Sequence, residues 1–265
     1  MTTFAEKLER FQAWTIEVSD PRTDQWLLLT SPAPITVIFV LYLLIVFAGP
    51  GFMRHRNPLT LKWIIIPYNL GLVGLSAYMA YEFFMSAYLA GYSLKCQPVD
   101  YSNSPLALRM ANVCWWFFFS KVVELLDTVF FILRKKPEQV TFLHVYHHCT
   151  MIINWYLGAK YIAGGQSFFV AMLNSFVHIF MYSYYGLAAF GPHMQKYLWW
   201  KRYLTKMQLA QFLAFVVHMG YNLTIECAFP KGYTIAVFIY AISLIILFGN
   251  FYYRTYSSKK KTKTN

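Results

Sequence analysis

Residues 141–161 read TFLHVYHHCTMIINWYLGAKY, an apolar run of spanning length that carries His144, His147 and His148. At 3.6 residues per turn the three imidazoles fall within about 100° of one helical face. Ionisable groups at membrane depth are costly and mark cavities or functional sites, so the run reads as a membrane helix built around a polar cluster. A fourth histidine, His178, occupies an equally apolar run, and the chemistry is expected between these two segments.

The composition agrees. The 265 residues are 58% hydrophobic and 20% aromatic but only 13% charged, which no ordinary soluble domain of this size matches. The expected fold class is all-α, a polytopic membrane protein. Runs of spanning length lie at about 34–53, 63–86, 113–133, 141–161, 165–190, 203–224 and 233–254. They predict seven transmembrane helices, with six the alternative because polar residues interrupt the fourth and fifth. No repeat, low-complexity stretch or second domain is visible: residues 1–265 form one domain, with 1–33 a lumenal segment and 255–265 a basic cytosolic tail.

Charge placement favours the odd count. Arg54, Arg56 and Lys62, then Arg134, Lys135 and Lys136, then Lys196, Lys201, Arg202 and Lys206 fall on one side with the tail, fifteen of the 23 basic residues in all. Basic loops stay cytosolic, so the C-terminus is expected in the cytosol and the acidic N-terminal segment outside. The formal charge of +12 is first a topology signal and does not imply nucleic acid. A basic cytosolic mouth also attracts a polyanion such as a coenzyme A thioester.

Residues 1–30 lack an apolar core of signal-peptide type, so the first span is read as an uncleaved anchor. Cys96 and Cys227 fall in loops assigned to the lumen, where they either pair or remain two free thiols. Cys114 and Cys149 lie within helices as small apolar fillers. Asn222-Leu-Thr224 matches a glycosylation sequon close to the membrane. The end Lys261-Thr-Lys263-Thr-Asn265 has the spacing of a dilysine retrieval address for the endoplasmic reticulum.

Further polar residues punctuate the apolar runs. In KVVELLDT, Lys121, Glu124 and Thr128 share a helical face with Asp127 just off it. Lys121 and Glu124 are either a structural ion pair or part of a site; Asp127 could orient an imidazole. In NSFVHIFMYSYY, Asn174, His178, Met181 and Tyr185 form a stripe, while Tyr182 and Tyr184 are read as interfacial belt residues. Thr205, Gln208 and Gln211 either bridge helices or line a polar mouth, with bridging the simpler reading.

Three chemistries could use these groups. HVYHH looks like one histidine box of a di-iron desaturase or hydroxylase, but such sites draw on about eight histidines and this chain has seven, of which His55, His193 and His218 are isolated. Cys149 could be a nucleophile, although it points about 100° from His148 around the helix. A neutral imidazole could itself attack an acyl group, and the acyl-imidazole survives where water is excluded. A seven-helix receptor or transporter without catalysis is the non-enzymatic alternative, although repeat symmetry and broken helices are not seen.

KVVELLDT, HVYHH, NSFVHIFMYSYY and TKMQLAQ, in this order, resemble the very-long-chain fatty acid elongases, the membrane 3-oxoacyl-CoA synthases of animals and fungi. The resemblance runs from SDPRTDQWLLLTSP near residue 19 to the basic tail. LRKKPEQVTFLHVYHHCTM, QKYLWWKRYLT and NFYYRTY resemble in particular the protein 4-like branch of the animal enzymes.

The resemblance implies seven helices in the endoplasmic reticulum membrane, the second to seventh ringed around an acyl tunnel. It implies condensation of a long-chain, in the expected case polyunsaturated, acyl-CoA with malonyl-CoA to 3-oxoacyl-CoA, CO2 and CoA. No cofactor or metal is expected beyond those substrates. The expected partners are the bilayer, the reductases and dehydratase of the cycle, and a homo- or hetero-oligomer.

On that reading His147 is the nucleophile, His144 or Asp127 sets its tautomer, and His178 and Asn174 stabilise the enolate or oxyanion. His148 is the third catalytic imidazole. Lys201 and Arg202 would bind CoA phosphates, with Lys121, Glu124, Tyr185, Gln208 and Gln211 completing the substrate contacts.

Overall fold

A computed structural model describes residues 3–257, and every regular element among them is helical. The dilysine spacing lies outside the described residues. The long helices are α1 (Phe4–Glu17), α2 (Pro32–Met53), α3 (Lys62–Leu89), α4 (Pro105–Glu124), α5 (Leu126–Leu133), α6 (Phe142–Tyr161), α7 (Ser167–Ala189), α8 (Lys201–Thr224) and α9 (Lys231–Tyr252). Four stretches are long and apolar enough to cross a membrane: α2, α3, α7 and Lys231–Ser257. The predicted spans 113–133, 141–161 and 203–224 are helical too, but charged, imidazole and amide side chains interrupt them.

Two differences from expectation stand out. First, residues 4–17 form a helix where only a polar segment was anticipated. Thr3 and Glu6 close a capping box at its start, which satisfies two otherwise orphaned backbone donors. Second, the predicted span 113–133 is not one helix. It begins at Pro105, behind the N-cap Ser104, and breaks at Leu125. There the Ser120 hydroxyl donates back to the Phe117 carbonyl at 2.8 Å, and the Leu125 amide bonds three residues back to Val122.

The chain forms two compact units. The first comprises residues 1–58, 85–91 and 99–168, where α4 packs on α6 and α2 lies against α5 and α6. The segment after α1 is tied to this unit by charge. Arg22, paired with Asp20, donates to the carbonyls of Ala107 on α4 and Ala163 after α6, at 3.2 and 2.8 Å. Lys160, fully buried, donates to Asp24 at 3.3 Å and to the Leu29 carbonyl at 2.7 Å. Gly164 and Gly165 follow with φ of 120° and 57°, a reversal that side chains with a Cβ resist.

The second unit comprises residues 59–84, 92–98 and 169–265, in which α8 and α9 pack along each other. A Cβ on Gly186 of α7 would come within 3.4 Å of Asn69 Cβ on α3, so those helices approach closely there. Cys96 and Cys227 are joined by a disulfide with their Cα atoms 5.6 Å apart, while Cys114 and Cys149 are free thiols. Alkylation mapping should therefore label Cys96 and Cys227 only after reduction; equal labelling of Cys96 without reductant would contradict the bridge. The sequon asparagine Asn222 is buried and donates its amide to the His218 carbonyl at 2.8 Å, so its nitrogen is engaged within α8.

Candidate active site

The histidine cluster occupies the first two turns of α6. Thr141 caps that helix by accepting from the His144 amide at 3.2 Å, which fixes where the box begins. The ring centroids of His144 and His148 are 4.3 Å apart, and those of His147 and His148 are 5.4 Å apart and perpendicular. His148 is buried, and His144 and His147 are half-buried. Phe131 of α5 lies 5.3 Å from the His144 ring, and Tyr42 of α2 lies 6.4 Å from that of His148.

Lys121, Glu124, Asp127 and Thr128 are all buried around the break between α4 and α5. Lys121 Nζ donates to Glu124 Oε1 at 2.7 Å and rests 4.3 Å from the Phe117 ring centre; Ser120 Oγ donates to the same carboxylate oxygen at 3.3 Å. The pair expected from spacing is thus an ion pair in the structure. The hydroxyl of Thr128 reaches the His144 ring, with Oγ1 2.7 Å from Nε2. Tyr42 OH lies 3.2 Å from the same hydroxyl. The sequence puts Thr128 on this face without assigning it a role, and nothing in it singles out Tyr42 among 21 tyrosines.

The second unit holds the remaining candidates. Asn174 and His178 are buried one turn apart on α7, and the His178 ring lies 5.5 Å from that of Tyr182. Tyr182 and Tyr184 are not belt residues: they are 1% and 8% exposed, whereas Tyr185 is 38% exposed. Tyr184 packs in a core cluster with Leu198 and Leu204 and edge-on to Trp200, because the turn after α7 folds back over that face. Gln208 of α8 donates to Met181 Sδ of α7 at 3.6 Å, so it bridges helices. Gln211 is buried, and its Oε1 accepts no hydrogen bond.

Lys201 and Arg202 are exposed in the first turn of α8, where the helix dipole disfavours cations, and Lys206 follows. Arg202 Nε donates to Tyr252 OH at 2.7 Å. Among the described residues, no three His, Cys, Asp or Glu side chains are grouped to share a metal ion.

The chain belongs to the ELO family, described as the GNS1/SUR4 family, which matches residues 27–264. Among its relatives, the very long chain fatty acid elongase 4 of Macaca mulatta is 55% identical over 254 residues, covering 96% of this chain and 81% of that protein. The protein of the same name from Homo sapiens is 54% identical over 253 residues, with the same coverage of 96% and 81%. The very long chain fatty acid elongase 7 of Rattus norvegicus is 48% identical over 258 residues, covering 95% and 91%.

Proposed function

We propose that this protein is a condensing enzyme of fatty acid elongation that joins a long-chain acyl-CoA, polyunsaturated in the expected case, to malonyl-CoA. The observation that carries the reading is the cluster of three imidazoles in the first two turns of α6, where the His148 ring meets those of both His144 and His147. The names of the relatives, very long chain fatty acid elongases, support the same reaction class.

The reaction runs in two steps. His147 attacks the thioester carbonyl; a carbon–nitrogen bond forms, the carbon–sulfur bond breaks, and CoA leaves with the imidazole proton. Malonyl-CoA then loses CO2, and its enolate carbon attacks the acyl-imidazole; the new carbon–carbon bond forms, the carbon–nitrogen bond breaks, and the leaving imidazole nitrogen takes up one proton from the medium. Asp127, His144 and His148 belong to the first step on this reading. His178 and Asn174 are assigned to the enolate or oxyanion on chemical type, an imidazole and a carboxamide. Lys121, Glu124, Tyr185, Gln208 and Gln211 are assigned to substrate contacts, and Lys201 and Arg202 to the CoA phosphates. The reading needs no cofactor or metal. It counts the other enzymes of the cycle as partners, with a homo- or hetero-oligomer as the assembled form, and places the protein in the endoplasmic reticulum.

Membranes carrying the protein, given labelled malonyl-CoA and a panel of acyl-CoAs, should form 3-oxoacyl-CoA and CO2 in equal amounts. Decarboxylation without product, or no incorporation, would overturn the reading. Seven spans are part of the proposal, and the helical stretches α2, α3, α4 with α5, α6, α7, α8 and α9 support it. A C-terminal tag should then be reachable from the cytosol in selectively permeabilised cells and an N-terminal tag protected; both termini on one side would reject seven.

A further inference from the structure

Tyr42, Thr128 and His144 form a continuous chain of polar atoms inside the first unit. Tyr42 OH is 3.2 Å from Thr128 Oγ1, and that oxygen is 2.7 Å from His144 Nε2. The three residues come from three helices, α2, α5 and α6. Tyr42 and Thr128 are 3% and 0% exposed. A buried tyrosine hydroxyl costs desolvation unless it is satisfied, and the hydroxyl of Thr128 satisfies that of Tyr42.

With the phenol as first donor, Tyr42 O–H gives its proton to Thr128 Oγ1 and the threonine hydroxyl gives its own to His144 Nε2. In that order Nε2 is an acceptor and the ring proton sits on Nδ1. The rings of His144 and His148 are in contact at 4.3 Å, and that of His148 is next to that of His147. The tautomer and orientation fixed at His144 therefore set the polar surface that His148 and His147 meet.

We infer that Tyr42 and Thr128 are positioning residues for the histidine cluster, acting through His144 Nε2, so that α2 takes part in catalysis and is not merely an anchor. This rests on the imidazole reading above. Neither side chain is assigned contact with substrate; their effect is on turnover, not on substrate affinity.

The test compares Thr128→Val, which keeps the shape and removes the hydroxyl, with Thr128→Ser, which keeps the hydroxyl, and with Tyr42→Phe. All are assayed in the complete condensation reaction, with melting temperature as the folding control. Thr128→Val should lose about tenfold or more in kcat at unchanged KM for acyl-CoA, the scale of one buried hydrogen bond. Thr128→Ser should restore most of the loss. Tyr42→Phe should lose a few-fold in kcat, and the double variant Tyr42→Phe/Thr128→Val should be no worse than Thr128→Val alone, because the tyrosine works only through the threonine.

Additive losses, equal impairment of the Ser and Val variants, or wild-type kcat in Thr128→Val would overturn the inference. If the variants lose stability in proportion to activity, the residues are structural and the inference also falls. The imidazole reading is judged separately, by CoA release from the wild-type protein without malonyl-CoA, so the two can fail independently.

Discussion

His147→Ala is expected to lower elongation by about three orders of magnitude or more while leaving the protein folded. A covalent nucleophile cannot be replaced by the binding energy that remains, and losses of this size are the rule when one is removed. His147 is half-buried in the second turn of α6, and its removal leaves the His144–Thr128 hydrogen bond untouched. Its melting temperature should therefore stay near wild type. Cys149→Ala should keep most of the activity, since no step of the reaction is assigned to that thiol. Retention of activity by His147→Ala together with its loss in Cys149→Ala would reassign the nucleophile.

The second large effect concerns stability. Lys121 and Glu124 are each 2% exposed, with the ammonium 2.7 Å from the carboxylate. Removing one member of such a pair strands the other charge in an apolar setting, at a cost of about 3–5 kcal/mol. Lys121→Met should therefore lower the melting temperature in detergent by on the order of 10 °C. The double variant Lys121→Met/Glu124→Leu should recover much of that loss, because no charge is left stranded, yet elongation should stay impaired in both if the pair serves the site. A Lys121→Met protein that melts with wild type would show that the pair contributes little to the fold.

How far the sequence could be read depended on the range of the interaction. The helical runs at 141–161 and 203–224 were legible from apolar length, and the Lys121–Glu124 pair from its one-turn spacing. The break at Leu125 was not, because Val-Val-Glu-Leu-Leu carries no glycine or proline to announce it. Helix α1 was readable in principle from Thr3 and Glu6, but the search for apolar spans ignores short capped helices. Tyr182 and Tyr184 were misjudged because a tyrosine beside a membrane run suits an interface or a core equally well, and only the packing of Leu198 and Trp200 decides. Tyr42 could not be found at all: its partner lies 86 residues away on another helix.

The most direct measurement is a single-turnover reaction of the purified protein with acyl-CoA in the absence of malonyl-CoA. The account predicts free CoA in stoichiometric amount, an acyl group retained on the peptide that bears His147, no adduct in His147→Ala, and no effect of chelators. His178→Ala should still load the acyl chain yet fail to condense it. Absence of CoA release from active protein would mean that both substrates react in one ternary complex, and the acyl-imidazole would have to be abandoned.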